Sequence, residues 1–296
     1  MGEFEVKTLI VTDSNCDLSA EYIEENKIIV IPFYFYLKGK DYEDNFGASI
    51  SYKQFYDELR RSEICTTAQI TPYKFEECFR EYVLDGYSII YIGFSSGLSE
   101  TCNNAILARQ IILQENKDAD ITVIDSRSAT AGQGLIVSYA CEMLKQGKSK
   151  EDIVNWIEYN KLKVNHWFIV DSLDHLKRGG RISSVSATLG ALLGVKPVLI
   201  MDNNGKLTVV KKIRGAKKSV RTLLKEFKDR AINPEQQDIF ISHGDCLEDA
   251  EHLKKLIMSV VKVKNVTINY VGPIIGTHTG PGMLCVTFIG KDREAE

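Results

Sequence analysis

The residues Gly93-Phe94-Ser95-Ser96-Gly97 fit the pattern G-x-S-x-G, in which a sharp strand-to-helix turn presents a serine as a nucleophile. A downstream acid, Asp125 or Asp171, followed by His278, would complete the serine–acid–histidine order of an α/β-hydrolase and give a serine esterase. The same residues support a second chemistry. A serine at the start of a helix lies beside free backbone N–H groups and the positive end of the helix dipole, which hold an anion as readily as they assist a nucleophile. Three fixed positions in five arise often by chance. The histidine must also reach the serine from the far end of the chain.

His278 has unusual company. It sits in VGPIIGTHTGPGML, residues 271–284, where glycines and prolines predict a shaped loop rather than a regular helix. The chain holds five histidines, at 166, 175, 243, 252 and 278, with no spacing suited to a shared metal. Other candidates follow strands, the place where open α/β sheets bind ligands. Thr12-Asp13-Ser14, Ser95-Ser96-Gly97, Asp125-Ser126 and Asp171-Ser172 all end predicted strands. Each can cap a helix or face a ligand, since Ser and Asp suit both roles. CTTAQITPYKF, residues 65–75, reads as an irregular stretch in which Thr66, Thr67 and Gln69 cap a turn or aim donors into a cleft. Lys177, Arg178 and Arg181 flank Gly179-Gly180, and a run of small and apolar residues from Val185 to Leu193 follows. That run reads as a buried helix or as space left for a ligand. Lys211, Lys212, Arg214, Lys217, Lys218, Arg221 and Lys225 form a basic run, either a solvated face or a dock for an acidic partner or a phosphate. The chain has no GxxxxGK[ST] loop, and Gly132-Gln133-Gly134 is followed by Val137 where a dinucleotide fingerprint needs its third glycine.

The elements that position these residues come from a chain of 296 residues, 44% apolar and 26% charged, within the range of a globular protein of two domains or one large one. A net charge of −3 gives no ground for general nucleic-acid binding. Seven scattered cysteines with no CxxC predict neither a disulfide framework nor a zinc site, and place the protein in a reducing cytoplasm. The start MGEFEVKTLIV has no apolar h-region, and no apolar run approaches the roughly 18 residues of a membrane span. Any contact with lipid would then be made from solution or at a surface.

Strands are predicted at 8–11, 28–37, 88–94 and 121–124, with helices at 18–26, 51–61, 72–85, 98–116, 130–146 and 149–162 between and after them. Leu98, Cys102, Ala105, Ala108 and Ile112 share one helical stripe, and Pro72 suits a first helical turn. This alternation implies a largely parallel sheet covered by helices. Beyond it, strands at 167–170, 198–201, 207–213, 239–242, 266–270 and 283–289 mix with helices at 217–230 and 247–261. Asp202-Asn203-Asn204-Gly205 predicts a hairpin turn. The expected architecture is α/β with an N-terminal parallel-sheet domain, residues 1–164, and a C-terminal mixed-sheet α+β domain, residues 165–296.

Several stretches then combine. VTDSNCDLS at 11–19, TTAQITP at 66–72, SSGLSET at 95–101, VIDSRSATAGQG at 123–134, LKRGGRIS at 176–183, GVKPVL at 194–199, KIRG at 212–215 and GTHTGPG at 276–282 occur in this order. Taken together, the chain resembles the DegV family of bacterial fatty-acid-binding proteins over nearly its full length. The resemblance implies a two-domain α/β fold with one long-chain fatty acid in a cleft and tunnel between domains, and no cofactor. It implies Thr67, Ser95, Ser96 and His278 as ligands of the carboxylate, Ser96 being the nearer match of the serine pair. Some members resemble the acyl-carrying subunit of a fatty acid kinase, in which a separate ATP-using subunit makes acyl phosphate for phospholipid synthesis. Arg181 and Arg214 would meet that partner or its phosphoryl group. A monomer, with only transient contact at a membrane surface, is expected. The sequence departs from the family pattern at Ala68, Ile70 and Thr71, at Glu100, and at Asn15-Cys16.

Overall fold

The computed structural model describes residues 7–182 and 194–293. The run of small and apolar residues at 185–193 therefore lies outside the described residues. In chain order the first half forms β1 (Thr8–Asp13), α1 (Ala20–Glu25), β2 (Ile29–Ile31), β3 (Tyr34–Leu37), β4 (Lys40–Glu43), α2 (Tyr52–Arg60), β5 (Cys65–Ala68), α3 (Pro72–Leu84), β6 (Ser88–Gly93), α4 (Thr101–Glu115), β7 (Ile121–Asp125), α5 (Ala131–Lys145) and α6 (Lys150–Asn160). The second half forms β8 (Val164–Ile169), α7 (Asp174–Arg178), β9 (Val195–Met201), β10 (Leu207–Arg214), α8 (Ala216–Arg230), β11 (Asp238–His243), α9 (Leu247–Val260), β12 (Asn265–Tyr270), α10 (Pro273–Thr279) and β13 (Leu284–Ile289).

The predicted parallel sheet is present, with strand order β2-β1-β6-β7. Its strand β6, SIIYIG, is buried at every position, as a central strand covered on both faces must be. Ile90 and Ile92 pack with Leu135 and Ile136 of α5 and Ile153 and Ile157 of α6. Ile89 and Tyr91 point the other way, into a cluster with Phe75 and Phe79 of α3 and Ala105, Ala108 and Ile112 of α4. Cys102, Ala105, Ala108 and Ile112 of the stripe read from the sequence are buried on α4, whereas Leu98 lies in the turn before it.

The second sheet has the order β10-β9-β8-β13-β11-β12. It is antiparallel except for the parallel β11–β12 pair. Trp167, Ile169, Val286 and Phe288 pack on Phe227 of α8 and Leu253 and Ile257 of α9. The opposite face sends Phe168, Leu199, Met201 and Cys285 into the cluster that also holds Phe33 and Phe94. One apolar core thus runs from the parallel sheet to the mixed sheet, and a pocket opened within it would touch both.

Three local expectations change. The span 28–37 breaks at Pro32, which lacks a ladder N–H. Strand β2 therefore stays on β1, while β3 leaves for a small antiparallel sheet of order β4-β3-β5. Within the stretch read as irregular, Cys65–Ala68 is a strand, pairing Phe35 with Thr67. Four residues without apolar alternation carry no strand signal of their own. The glycine-rich segment of His278 is helical over Pro273–Thr279. Pro273 occupies the first turn, where no N–H is needed. A Cβ on Gly276 would fall 2.6 Å from the Tyr56 hydroxyl, so that glycine serves close packing rather than a turn. The hairpin holds as read: Asp202 N–H donates to the Lys206 carbonyl at 2.9 Å and Gly205 has φ +69°.

Ser149 opens α6 with a capping box. Its hydroxyl accepts from Asp152 N–H at 3.1 Å, and the Asp152 carboxylate accepts from Ser149 N–H at 3.2 Å. Ser149→Ala is expected to lower stability by about 1 kcal/mol, read as a drop in the urea midpoint at unchanged slope. An unmoved midpoint would show that α6 does not depend on its cap.

Candidate functional site

A cavity of about 420 Å³ lies where the carboxyl ends of the parallel sheet face the mixed sheet. Phe33, Phe94, Phe168, Met201, Leu207 and Met283 supply apolar wall. Thr67 and His278 line it from β5 and α10. The His278 Nε2 lies 3.0 Å from the Thr67 Oγ1, across 211 residues of chain. Burial, with Arg181 and His175 nearby, pushes the His278 pKa down to about 4. The ring is therefore neutral near pH 7 and offers one donor and one acceptor. Among the described residues its Nδ1 has no hydrogen-bond partner, and it lies against Gly179, where a Cβ would fall only 2.0 Å from it.

Ser96 also lines the cavity, as does Arg181. The Ser96 N–H donates to Asp125 Oδ1 at 3.2 Å, and Asp125 pairs with Arg127 at 2.9 Å, so the loop after β6 is held from β7. Arg181 Nε donates to the Leu98 carbonyl at 3.2 Å, tying the turn after α7 to the turn before α4. Half-burial lowers its pKa, but a guanidinium stays charged.

Ser95 goes elsewhere. It is fully buried and is not part of the cavity wall. Its hydroxyl donates to the Gly205 carbonyl at 2.8 Å and accepts from Gly97 N–H at 3.2 Å. It locks the tip of the β9–β10 hairpin onto the β6 turn and has no hydrogen left for a carboxylate. A Cβ on Gly97 would lie 2.5 Å from the Asn204 carbonyl oxygen, and one on Gly205 would lie 2.0 Å from the Ser95 hydroxyl. The G-x-S-x-G spacing here thus serves a close contact between two sheets. Among the described residues, neither Ser95 nor Ser96 hydrogen-bonds to His278. His278 meets Thr67 rather than Ser95, Asp125 holds the Ser96 and Arg127 backbones, and Asp171 pairs with Lys196 at 2.7 Å.

Of the remaining strand-end residues, Thr12 donates to the Ile92 carbonyl at 2.8 Å and Ser14 accepts from Phe33 N–H at 3.1 Å, whereas others cap their turns. Asp13 accepts from Asn15 N–H at 3.1 Å, and Ser172 accepts from Asp174 N–H at 3.0 Å. Arg214 is exposed at the end of β10 and lies outside the cavity. Sequence reasoning passed over many of the wall residues, the polar Thr130 and His166 among them. The available signal was the period-two alternation along β8, which puts His166 on the same side as Phe168.

A family model described as "Uncharacterised protein, DegV family" matches residues 7–291. The chain belongs to the DegV family. The DegV domain-containing protein CPE0026 of Clostridium perfringens is 44% identical over 288 residues, covering 97% of this chain and 99% of the relative. The corresponding Staphylococcus aureus protein SACOL1460 is 34% identical, covering 96% and 99%. Among solved structures, a DegV family protein of Thermus thermophilus, described for its fatty acid binding, superposes with a TM-score of 0.86 at 29% identity over 95% of this chain and 99% of its own. A stearic acid-binding protein of Eubacterium ventriosum gives 0.85 at 28% identity, covering 96% and 98%. DegV of Bacillus subtilis, described as a fatty acid binding protein, gives 0.81 at 30% identity, covering 96% and 99%. The two-sheet arrangement described above is the DegV fold. Among the described residues of this DegV-family chain, no helix is long and apolar enough to cross a membrane.

Proposed function

We propose that this chain binds one long-chain fatty acid in the cavity between its sheets. The observation that carries the reading is the Thr67–His278 pair on the wall of an otherwise largely apolar cavity. A buried acyl tail gains about 0.8 kcal/mol per CH₂, while an unpaired carboxylate in the same place is very costly. Thr67, Ser96 and a neutral His278 supply hydrogen-bond donors, and Arg181 supplies the nearby positive charge. Hydroxyl and imidazole donors hold a carboxylate without fixing it in a tight ion pair, which suits an acid that must later react. The relatives described as fatty acid binding support the same reading.

The acid would be presented to a separate ATP-using kinase subunit, with Arg181 at the cavity and Arg214 on the surface as candidate contacts. In this scheme the protein is a cytoplasmic monomer, residues 1–164 and 165–296 are the two units that grip the ligand, and membranes are met only transiently. Organic extraction of native protein followed by mass spectrometry should release stoichiometric fatty acid. Absence of such a lipid, together with no uptake of added palmitate or oleate, would overturn the reading. Labelling of Ser95 or Ser96 by a fluorophosphonate would favour the hydrolase instead.

A further inference from the structure

His166 is a second polar feature of the cavity wall, remote in sequence and element from Thr67 and His278. It projects from β8 between Val164 and Phe168, is only 4% exposed, and lines the same cavity. Among the described residues, neither ring nitrogen makes a well-formed hydrogen bond. The carbonyls of Ala129 and Val164 lie beside the ring, close enough to influence its protonation, but not in good hydrogen-bond geometry. The ring packs against the start of α5, where a Cβ on Gly132 would fall 1.8 Å from Nε2. That helix begins at Thr130, whose side chain makes no capping bond and which also lines the cavity. A buried imidazole with both nitrogens unpaired is rare, because each unmet group costs free energy.

The neighbours limit what can satisfy it. Burial and the nearby Arg293 guanidinium keep the ring neutral, so it has one N–H and one bare nitrogen. The adjacent carbonyls accept only. They can take the N–H after a small adjustment, but among the described residues none donates to either ring nitrogen. A carboxylate or ketone on a ligand would also only accept. A hydroxyl both donates and accepts, and so matches the unmet nitrogen.

We propose that His166 is a hydroxyl-recognition subsite, and that the preferred ligand class of this cavity is a long-chain fatty acid carrying a hydroxyl on its chain. This inference rests on the fatty-acid reading above. The carboxylate is held at Thr67 and His278, and the chain hydroxyl donates to the bare nitrogen of His166. No bond is made or broken.

The test is competition for the purified full chain between stearic acid and a positional series of monohydroxystearic acids, read by mass spectrometry of the bound fraction. At least one hydroxyl position should be preferred over stearic acid by on the order of tenfold, the effect of one good hydrogen bond to an otherwise unmet group. In His166→Phe, which keeps a planar ring and removes both nitrogens, the preference should vanish while stearic acid still binds. If no hydroxy acid outcompetes stearic acid, or if the preference survives in His166→Phe, the subsite is wrong even though the fatty-acid reading stands. If neither stearic nor any hydroxy acid binds, the fatty-acid reading itself fails and the subsite with it. Should His166→Phe not fold, ¹⁵N spectra of the wild-type imidazoles decide. The His166 nitrogens should shift with the preferred hydroxy acid and not with stearic acid, and equal shifts with both would overturn the proposal.

Discussion

Thr67→Val is expected to weaken retention of a long-chain fatty acid by roughly tenfold to a hundredfold, and His278→Ala by a similar factor. A hydrogen bond to a charged group contributes about 1.5–3 kcal/mol, which converts to that range. Thr67→Val keeps the shape of the side chain and removes only the hydroxyl. Its host strand is held by backbone pairing to β3, so the fold should persist. His278→Ala also strips Thr67 of its 3.0 Å partner. The double variant should therefore lose less than the sum of the single losses, as expected for residues in direct contact. Equilibrium competition against a fluorescent fatty acid measures all three. Wild-type affinity in both single variants would remove the pair from the carboxylate site.

Asp44→Asn is expected to raise stability at pH 8 and to leave it nearly unchanged at pH 4. Asp44 is buried and its pKa is raised from 3.8 to about 7, chiefly by desolvation, with Asp13 and Glu43 adding repulsion. Burial also raises Asp13 and Asp17, the latter with help from Asp44 itself. Between about pH 4 and pH 7 the folded protein therefore keeps a proton on Asp44 that the unfolded chain has released. The contribution is fully present below the unfolded pKa and is lost as pH rises through about 7. For Asp44 alone that loss is on the order of 4 kcal/mol. An amide in its place cannot ionise and removes the loss. The check is the urea midpoint of wild type and Asp44→Asn at pH 4, 6 and 8. A variant equally or more destabilised at pH 8 than at pH 4 would show that the charged form is held by compensating contacts.

His278 and His166 run in the opposite direction. Burial depresses both, to about 4 and about 3, so their contribution is present above pH 6.5 and is lost as pH falls toward those values. The wild-type stability profile is thus a balance of buried acids that favour low pH and buried histidines that favour high pH.

Much of the architecture was legible because it is written locally. Ser88–Gly93 is continuously apolar but for its ends, Ala105 and Ala108 fall on a helical stripe, and Asp202–Gly205 has turn chemistry. Each of these signals depends on residues within a few positions of one another. The order of short motifs from Val11 to Gly282 was enough to suggest the family, and it singled out Thr67, the pair Ser95 and Ser96, and His278. What the local pattern misread were elements whose reason lies elsewhere in the chain. Gly276 looked like a turn and is instead the flat face on which Tyr56 packs a helix. Cys65–Ala68 has no strand signal and is a strand because β3 lies beside it. The serine pair shows the same division most sharply. By sequence Ser95 and Ser96 are interchangeable donors, yet the hairpin tip at Gly205, 110 residues away, takes the hydroxyl of one and leaves the other on the cavity wall. The sequence alone therefore determined most of the secondary elements, the family resemblance and the polar residues available to a site. Only the tertiary structure decided which of those groups face the cavity, because a hydroxyl or imidazole is committed by whatever distant backbone packs against it.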